Sequence, residues 1–133
     1  MEKVKIENLQ ELDKFTKQFA SMLKGDEVIL LEGDLGAGKT TFTKFLLKHL
    51  GVEEDVTSPT FTVMNEYEGK DFNIYHIDMY RLEKFDLSDI LGKGLVIVEW
   101  PKENVDYDKV YKIKIEVLDD DVRLFILEGA KTP

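Results

Sequence analysis

Residues 33–40 read "GDLGAGKT", a complete G-x-x-x-x-G-K-[ST] loop. It follows the apolar run "VILLE" and opens a segment of helical periodicity, the context in which such a loop cradles phosphates. The residue types explain the chemistry. Gly33, Gly36 and Gly38 permit backbone torsions that a Cβ would penalise. With Asp34, Leu35 and Ala37 between them, the loop can turn its N–H groups inward around phosphate oxygens. The helix that follows, with Thr41 near its start, adds the positive end of its dipole. Lys39 can bridge the β and γ phosphates, and the Thr40 hydroxyl can ligate Mg²⁺. The motif predicts a nucleoside triphosphate and leaves the reaction open.

A phosphate loop needs a further acidic group to hold the metal or orient water. Two apolar runs end in one: "IYHID" at Asp78 and "LVIVE" at Glu99. Glu99 is the better candidate on spacing, because its run is more uniformly apolar. Beside Thr40, either carboxylate, Glu99 or Asp78, could hold the metal or orient the attacking water, with Lys39 stabilising charge. On a strand, His76 shares a face with Asp78, so it points at the same site or orients Asp78 by a hydrogen bond. The stretch "TSPTFT" (57–62) offers the hydroxyls of Thr57, Ser58, Thr60 and Thr62 around Pro59; it is either a loop that senses a γ-phosphate through a Thr or a polar loop entering a strand. Trp100, the single tryptophan, follows Glu99 and is expected at the edge of the site.

Some matches lead elsewhere. "DILG" (89–92) fits a GTPase D-x-x-G pattern, but no clear strand precedes it and no N-K-x-D guanine-reading motif is present. The only arginines are Arg81 and Arg123, too few for a small-molecule kinase that clamps a transferring phosphoryl group. Arg81 is the candidate arginine finger. His49 and His76 are too far apart to suggest a zinc pair, and His49, late in a helix, is expected at the surface.

The elements that must position these residues follow from periodicity. Leu9, Leu12, Phe15, Phe19 and Leu23 predict a helix over 8–23, with Asn8 and Glu11 as a capping box. "VILLE" (28–32) and "LVIVE" (95–99) predict strands buried on both faces. Phe42, Phe45, Leu46 and Leu50 predict a second helix stopped by Gly51. Hairpins are expected from 60–67 with 72–79, and from 111–118 with 122–127; residues 80–93 are helix or loop. Together these predict an α/β fold: one three-layer P-loop domain over 1–133 with a mixed, partly antiparallel sheet.

The bulk numbers agree. The chain has 133 residues, 43% hydrophobic, with no Cys and therefore no disulfide or thiolate site. Its net charge of -9 argues against a free-standing nucleic-acid binder. No signal peptide or membrane span is evident, so a cytoplasmic protein is expected.

"GDLGAGKTTF", "SPTFTVMNEY", "HIDMYRL" and "VEWP", in this order and in so short a chain, resemble the TsaE (YjeE) family. The H-x-D-x-Y-R and E-W segments make the resemblance specific; the last 30 or so residues match only in pattern. The resemblance implies a bacterial ATPase needed, with the TsaD and TsaB proteins, for N6-threonylcarbamoyladenosine in tRNA. It implies that Gly33 to Thr41 bind ATP phosphates and that Thr40 binds Mg²⁺. It places Asp78 and Glu99 near the metal and γ-phosphate, Thr60 in a switch-like loop, and Trp100 close to the nucleotide. It brings the start of the first helix, near Asn8 and Leu9, toward the adenine. tRNA would be engaged only through the complex, and no membrane is involved. An alternative from another class is a nucleotide-dependent docking module in which binding, not hydrolysis, controls partner contact.

Overall fold

The computed structural model describes residues 2–34, 36–57, 59, 63–82, 86–102 and 105–129. Their elements run β1 (Glu2–Ile6), α1 (Leu9–Met22), β2 (Val28–Glu32), α2 (Lys39–His49), β3 (Met64–Glu68), β4 (Asn73–Asp78), β5 (Leu95–Glu99), β6 (Val110–Val117) and β7 (Arg123–Glu128). The strands form one sheet in the order β1-β7-β6-β2-β5-β4-β3. β2 lies parallel to both β5 and β6, and β4 lies parallel to β5. The outer pairs β3–β4, β6–β7 and β1–β7 are antiparallel. This is the mixed α/β sheet that the sequence predicts.

The apolar runs take the central positions. Val28 to Leu31 and all of β5 are buried, as continuous apolar strands covered on both faces must be. The edges are polar: β1 reads "EKVKI" and β3 "MNEYE", which discourages pairing with another chain. β1 is a strand that the sequence reading did not predict. Its alternation of Lys3, Val4, Lys5 and Ile6 was the available signal, and Ile6 is buried.

α1 and α2 pack on one face. Phe15, Phe19, Phe42, Leu46 and Leu47 meet Ile29, Leu31, Ile97, Ile113 and Phe125 there. The opposite face carries Val28, Leu30, Ile77, Val96 and Val98. Turns rather than a regular helix cover it, through Leu87, Ile90, Leu91, Val105 and Tyr107. "DILG" falls in these turns, where Ile90 and Leu91 pack on the sheet, so its match to a GTPase motif is incidental.

Asn8 caps α1 by accepting from the Glu11 N–H at 2.9 Å. Glu11 reaches back to the N–H of Glu7 rather than Asn8, one residue beyond the usual box. The expected strand over 60–67 begins only at Met64, and residues 60–62 lie outside the described part. His49 departs from its expected surface position. Its Nε2 lies 2.8 Å from Asp13 Oδ1, its side chain is 17% exposed, and it ties the end of α2 to α1.

Phe42 is fully buried, with ring centroids 6.4, 6.2 and 5.6 Å from those of Phe15, Phe19 and Phe125. Truncation of such a residue leaves a cavity that the surrounding rings fill only in part. Phe42→Ala is expected to destabilise the fold by about 3–5 kcal/mol, read from urea denaturation.

Candidate nucleotide site

The two helices treat their N-termini in opposite ways. α1 is capped by a side chain and has Glu11 in its first turn. α2 starts after Gly38, which makes no side-chain cap, and its first turn has no acidic residue. Its leading N–H groups are therefore open to an anion. Gly36 and Gly38 hold φ of 78° and 109°, and a Cβ built on either meets no atom within 4 Å. Both left-handed torsions and an open cradle are present. Gly33 is required for a different reason from the torsional one expected: a Cβ there would lie 3.0 Å from the Ile115 carbonyl and 3.1 Å from Ala37 Cβ.

The carboxylates arrive from the neighbouring strands. Asp78 and Glu99 are register partners at the ends of β4 and β5. Both share strand parity with residues of the helix-facing core, Ile74 and Ile97 respectively, so both belong to that side of the sheet. Asp78, Glu99, Asp34, Gly36 to Thr41 and Trp100 line one cavity of about 230 Å³. It lies outside the carboxyl ends of parallel strands, where open α/β sheets bind ligands.

The cavity walls are tightly connected. Asp78 Oδ1 accepts from the Tyr80 N–H at 2.8 Å. The Asp78 N–H donates to the Val63 carbonyl at 2.8 Å, which joins this carboxylate to the chain leaving 57–62. Val63 and Trp100 are the non-glycine residues at positive φ among those described, at 68° and 56°. Trp100 stacks edge-on with Tyr80, centroids 5.0 Å apart. His76, fully buried, places Nε2 2.5 Å from Glu99 Oε2. It therefore contacts Glu99, not Asp78 as one expected alternative had it.

Lys39 is 6% exposed. Its Nζ donates to the Gly33 carbonyl, lies 3.4 Å from the Asp34 carbonyl, and sits 3.5 Å from the Trp100 ring centroid. Burial pushes its ammonium below the ordinary lysine value, while Glu99, Asp78 and Asp34 act in the opposite direction.

A second cavity of about 560 Å³ opens beside the loop, with Asn8, Leu9, Leu12, Gly38, Thr41, Arg123 and Phe125 among its lining residues. Leu9 thus lines the same cavity as Gly38 and Thr41 of the phosphate loop. Arg123 is the residue that sequence reasoning missed. Its Nε donates to the Ala37 carbonyl at 3.0 Å, and its Nη1 to the Asp119 and Asp120 carbonyls, each at 3.0 Å. It braces the loop against the β6–β7 hairpin. Its position two residues after a run of three aspartates, as one of two arginines, was the sequence signal. Thr60 and Leu35 lie outside the described residues.

The donor set suits Mg²⁺ with a triphosphate: a hydroxyl and two carboxylates, hard oxygen ligands beside an anion cradle. Among the described residues no three His, Cys, Asp or Glu side chains gather to hold a metal alone.

The family model described as "Threonylcarbamoyl adenosine biosynthesis protein TsaE" matches residues 6–125. The chain belongs to the TsaE family. The tRNA threonylcarbamoyladenosine biosynthesis protein TsaE of Aquifex aeolicus (strain VF5) is 43% identical over 125 residues, 92% of each chain. The TsaE protein of Bacillus subtilis (strain 168) is 44% identical over 100 residues, 70% of this chain and 62% of its own. A solved structure, "Crystal structure of Bacillus subtilus YdiB", superposes with a TM-score of 0.82 at 34% identity, over 98% of this chain and 86% of that one. The family match spans the phosphate loop, Asp78, Glu99 and Trp100. The family is that of tRNA threonylcarbamoyladenosine biosynthesis. Its sheet and helices, as found here, put the loop and both carboxylates at one end.

Arg123→Ala removes the brace between loop and hairpin. We expect a loss of about 1–3 kcal/mol in denaturation and weaker ATP binding by calorimetry. Arg123→Lys should restore little of either, because a lysine cannot reproduce the fork.

Proposed function

We propose that this chain binds Mg-ATP and hydrolyses it, as the ATPase component in formation of the threonylcarbamoyl modification on tRNA adenosine. The observation that carries this reading is the uncapped start of α2, facing Asp78 and Glu99 across one cavity. The triphosphate lies along Gly33 to Thr41, with the loop N–H groups on its oxygens. The base and ribose take the larger cavity beside Leu9. Lys39 leaves the Gly33 carbonyl and the Trp100 face to reach the β and γ phosphates. Thr40, Asp78 and Glu99 would hold Mg²⁺, directly or through water. When bound, the metal neutralises charge on the phosphate oxygens.

Glu99 or Asp78 orients a water in line with the γ-phosphorus. The water oxygen bonds to phosphorus as the bond to the β–γ bridging oxygen breaks, giving ADP and inorganic phosphate. Thr60 belongs to the loop that senses the γ-phosphate. Arg123 is engaged by carbonyls of the loop and hairpin, which removes one candidate for charge stabilisation from the chain itself. With Arg81 the remaining candidate finger, few charge-stabilising groups stand in the chain itself, so we infer that a partner completes the site; the resemblance names the TsaD–TsaB assembly. Threonylcarbamoyl transfer would occur there. A net charge of -9 disfavours direct contact with tRNA phosphates, so tRNA is met through the complex. No helix among the described residues is long and apolar enough to cross a membrane.

One feature favours the docking-module alternative. Lys39 rests on Trp100, which packs on Tyr80, and Tyr80 is 50% exposed. A nucleotide that recruits Lys39 would alter the surface there. Two variants separate the readings. Lys39→Ala is expected to lose ATP binding, and Glu99→Gln to bind ATP but lose turnover and tRNA modification. Full tRNA modification by Glu99→Gln would favour the module. We also expect slow hydrolysis by the isolated chain and faster hydrolysis with TsaD and TsaB; a rate of hundreds per second that partners leave unchanged would count against partner dependence.

A further inference from the structure

His76 occupies a position where stability alone would favour an aliphatic side chain. It is fully buried on β4, between Ile74 and Asp78 on the helix-facing side, with Ile97 as its register partner on β5. Burying an imidazole among such residues is unfavourable unless its nitrogens find partners. One does: Nε2 lies 2.5 Å from Glu99 Oε2. The other, Nδ1, has no hydrogen-bond partner among the described residues. The bond is not needed to join the strands, because β4 and β5 already share a parallel ladder and the Met79 N–H donates to the Glu99 carbonyl at 3.0 Å.

We propose that His76 is a positioning residue for ATP hydrolysis: its Nε2–H holds Oε2 of Glu99 so that the carboxylate presents Oε1 to the cavity shared with Thr40 and Asp78. This rests on the ATPase reading above. A glutamate has three side-chain torsions, and a carboxylate that must orient water works best in one of their combinations. Glu99 lies in the same cavity as Lys39, which would otherwise draw it. Anchoring one oxygen removes that alternative. An ionised carboxylate only accepts, so the ring must donate, which selects the Nε2–H tautomer. That tautomer leaves Nδ1 as a bare acceptor. A buried unsatisfied acceptor is better tolerated than a buried unsatisfied N–H.

The test uses the full chain with its partner proteins, in four forms: parent, His76→Leu, His76→Gln and Glu99→Gln. Four quantities are measured: kcat and KM for ATP, affinity for a non-hydrolysable ATP analogue, and the thermal midpoint. His76→Leu should lower kcat by about 10–100-fold, the usual effect of losing a group that orients a ligating side chain. KM and analogue affinity should stay near the parent's, and the thermal midpoint should not fall. His76→Gln, whose amide can donate from near the Nε2 position, should recover most of the turnover.

A readout independent of turnover comes from the two histidines being the whole set to assign by ¹⁵N correlation spectroscopy. His76 should show the Nε2–H tautomer in the nucleotide-free chain, with a proton resonance that Glu99→Gln shifts. Parental kcat in His76→Leu would overturn the inference. So would a lowered midpoint with equal losses in both His76 variants, which marks a core role, or an Nδ1–H tautomer. If Glu99→Gln itself hydrolyses ATP at the parental rate, the reading of Glu99 fails first and the inference falls with it. An inactive Glu99→Gln beside a fully active His76→Leu rejects the positioning role alone.

Discussion

The two-sided burial of β2 and β5 is the constraint on which the rest depends. Both strands are apolar along their length and are covered by helices on one face and turns on the other. Side chains alternate along a strand, so a slip of one residue would turn Glu99 away from the helices and exchange the two cores. The register observed, with Leu31 opposite Glu99 and Glu99 opposite Asp78, places the loop and both carboxylates at one level. α2 then has one place to begin, and its packing through Phe42 and Leu46 holds the loop above the strand ends.

Around that frame the backbone is bent where the carboxylates sit. Trp100 follows Glu99 at φ 56° and precedes Pro101, a placement doubly unusual for a side chain of its size. Val63, at φ 68°, receives the Asp78 N–H. Such conformations cost on the order of 1–3 kcal/mol each and persist only where neighbours fix them. Here the neighbours include the Tyr80–Trp100 contact and the ladder between β4 and β5.

Most of this frame was legible in the residues. Continuous apolar runs marked the central strands, 3.6-residue spacing marked both helices, and the glycine spacing marked the loop. What escaped notice depended on contacts distant in sequence. β1 is short, lies at an edge and gains its partner β7 from the far end of the chain. Arg123 acts through carbonyls 86 residues away at Ala37, which no local pattern encodes. His76 was visible as a residue sharing a face with Asp78. Its actual partner, Glu99, lies 23 positions on and is reached only because β5 pairs beside β4.

The resting place of Lys39 has a thermodynamic consequence. Its ammonium is already satisfied by loop carbonyls and an aromatic face, so nucleotide capture, on the reading proposed above, would be an exchange of partners and not a simple addition. Apparent affinity is the intrinsic affinity reduced by the fraction of molecules with the lysine released. A small anion that meets only the helix N-terminus gains too little to displace it. On the ATP-binding reading proposed above, a triphosphate that spans loop and lysine together would recover the difference, so the lysine would make the site selective for the length of its ligand as well as for its charge.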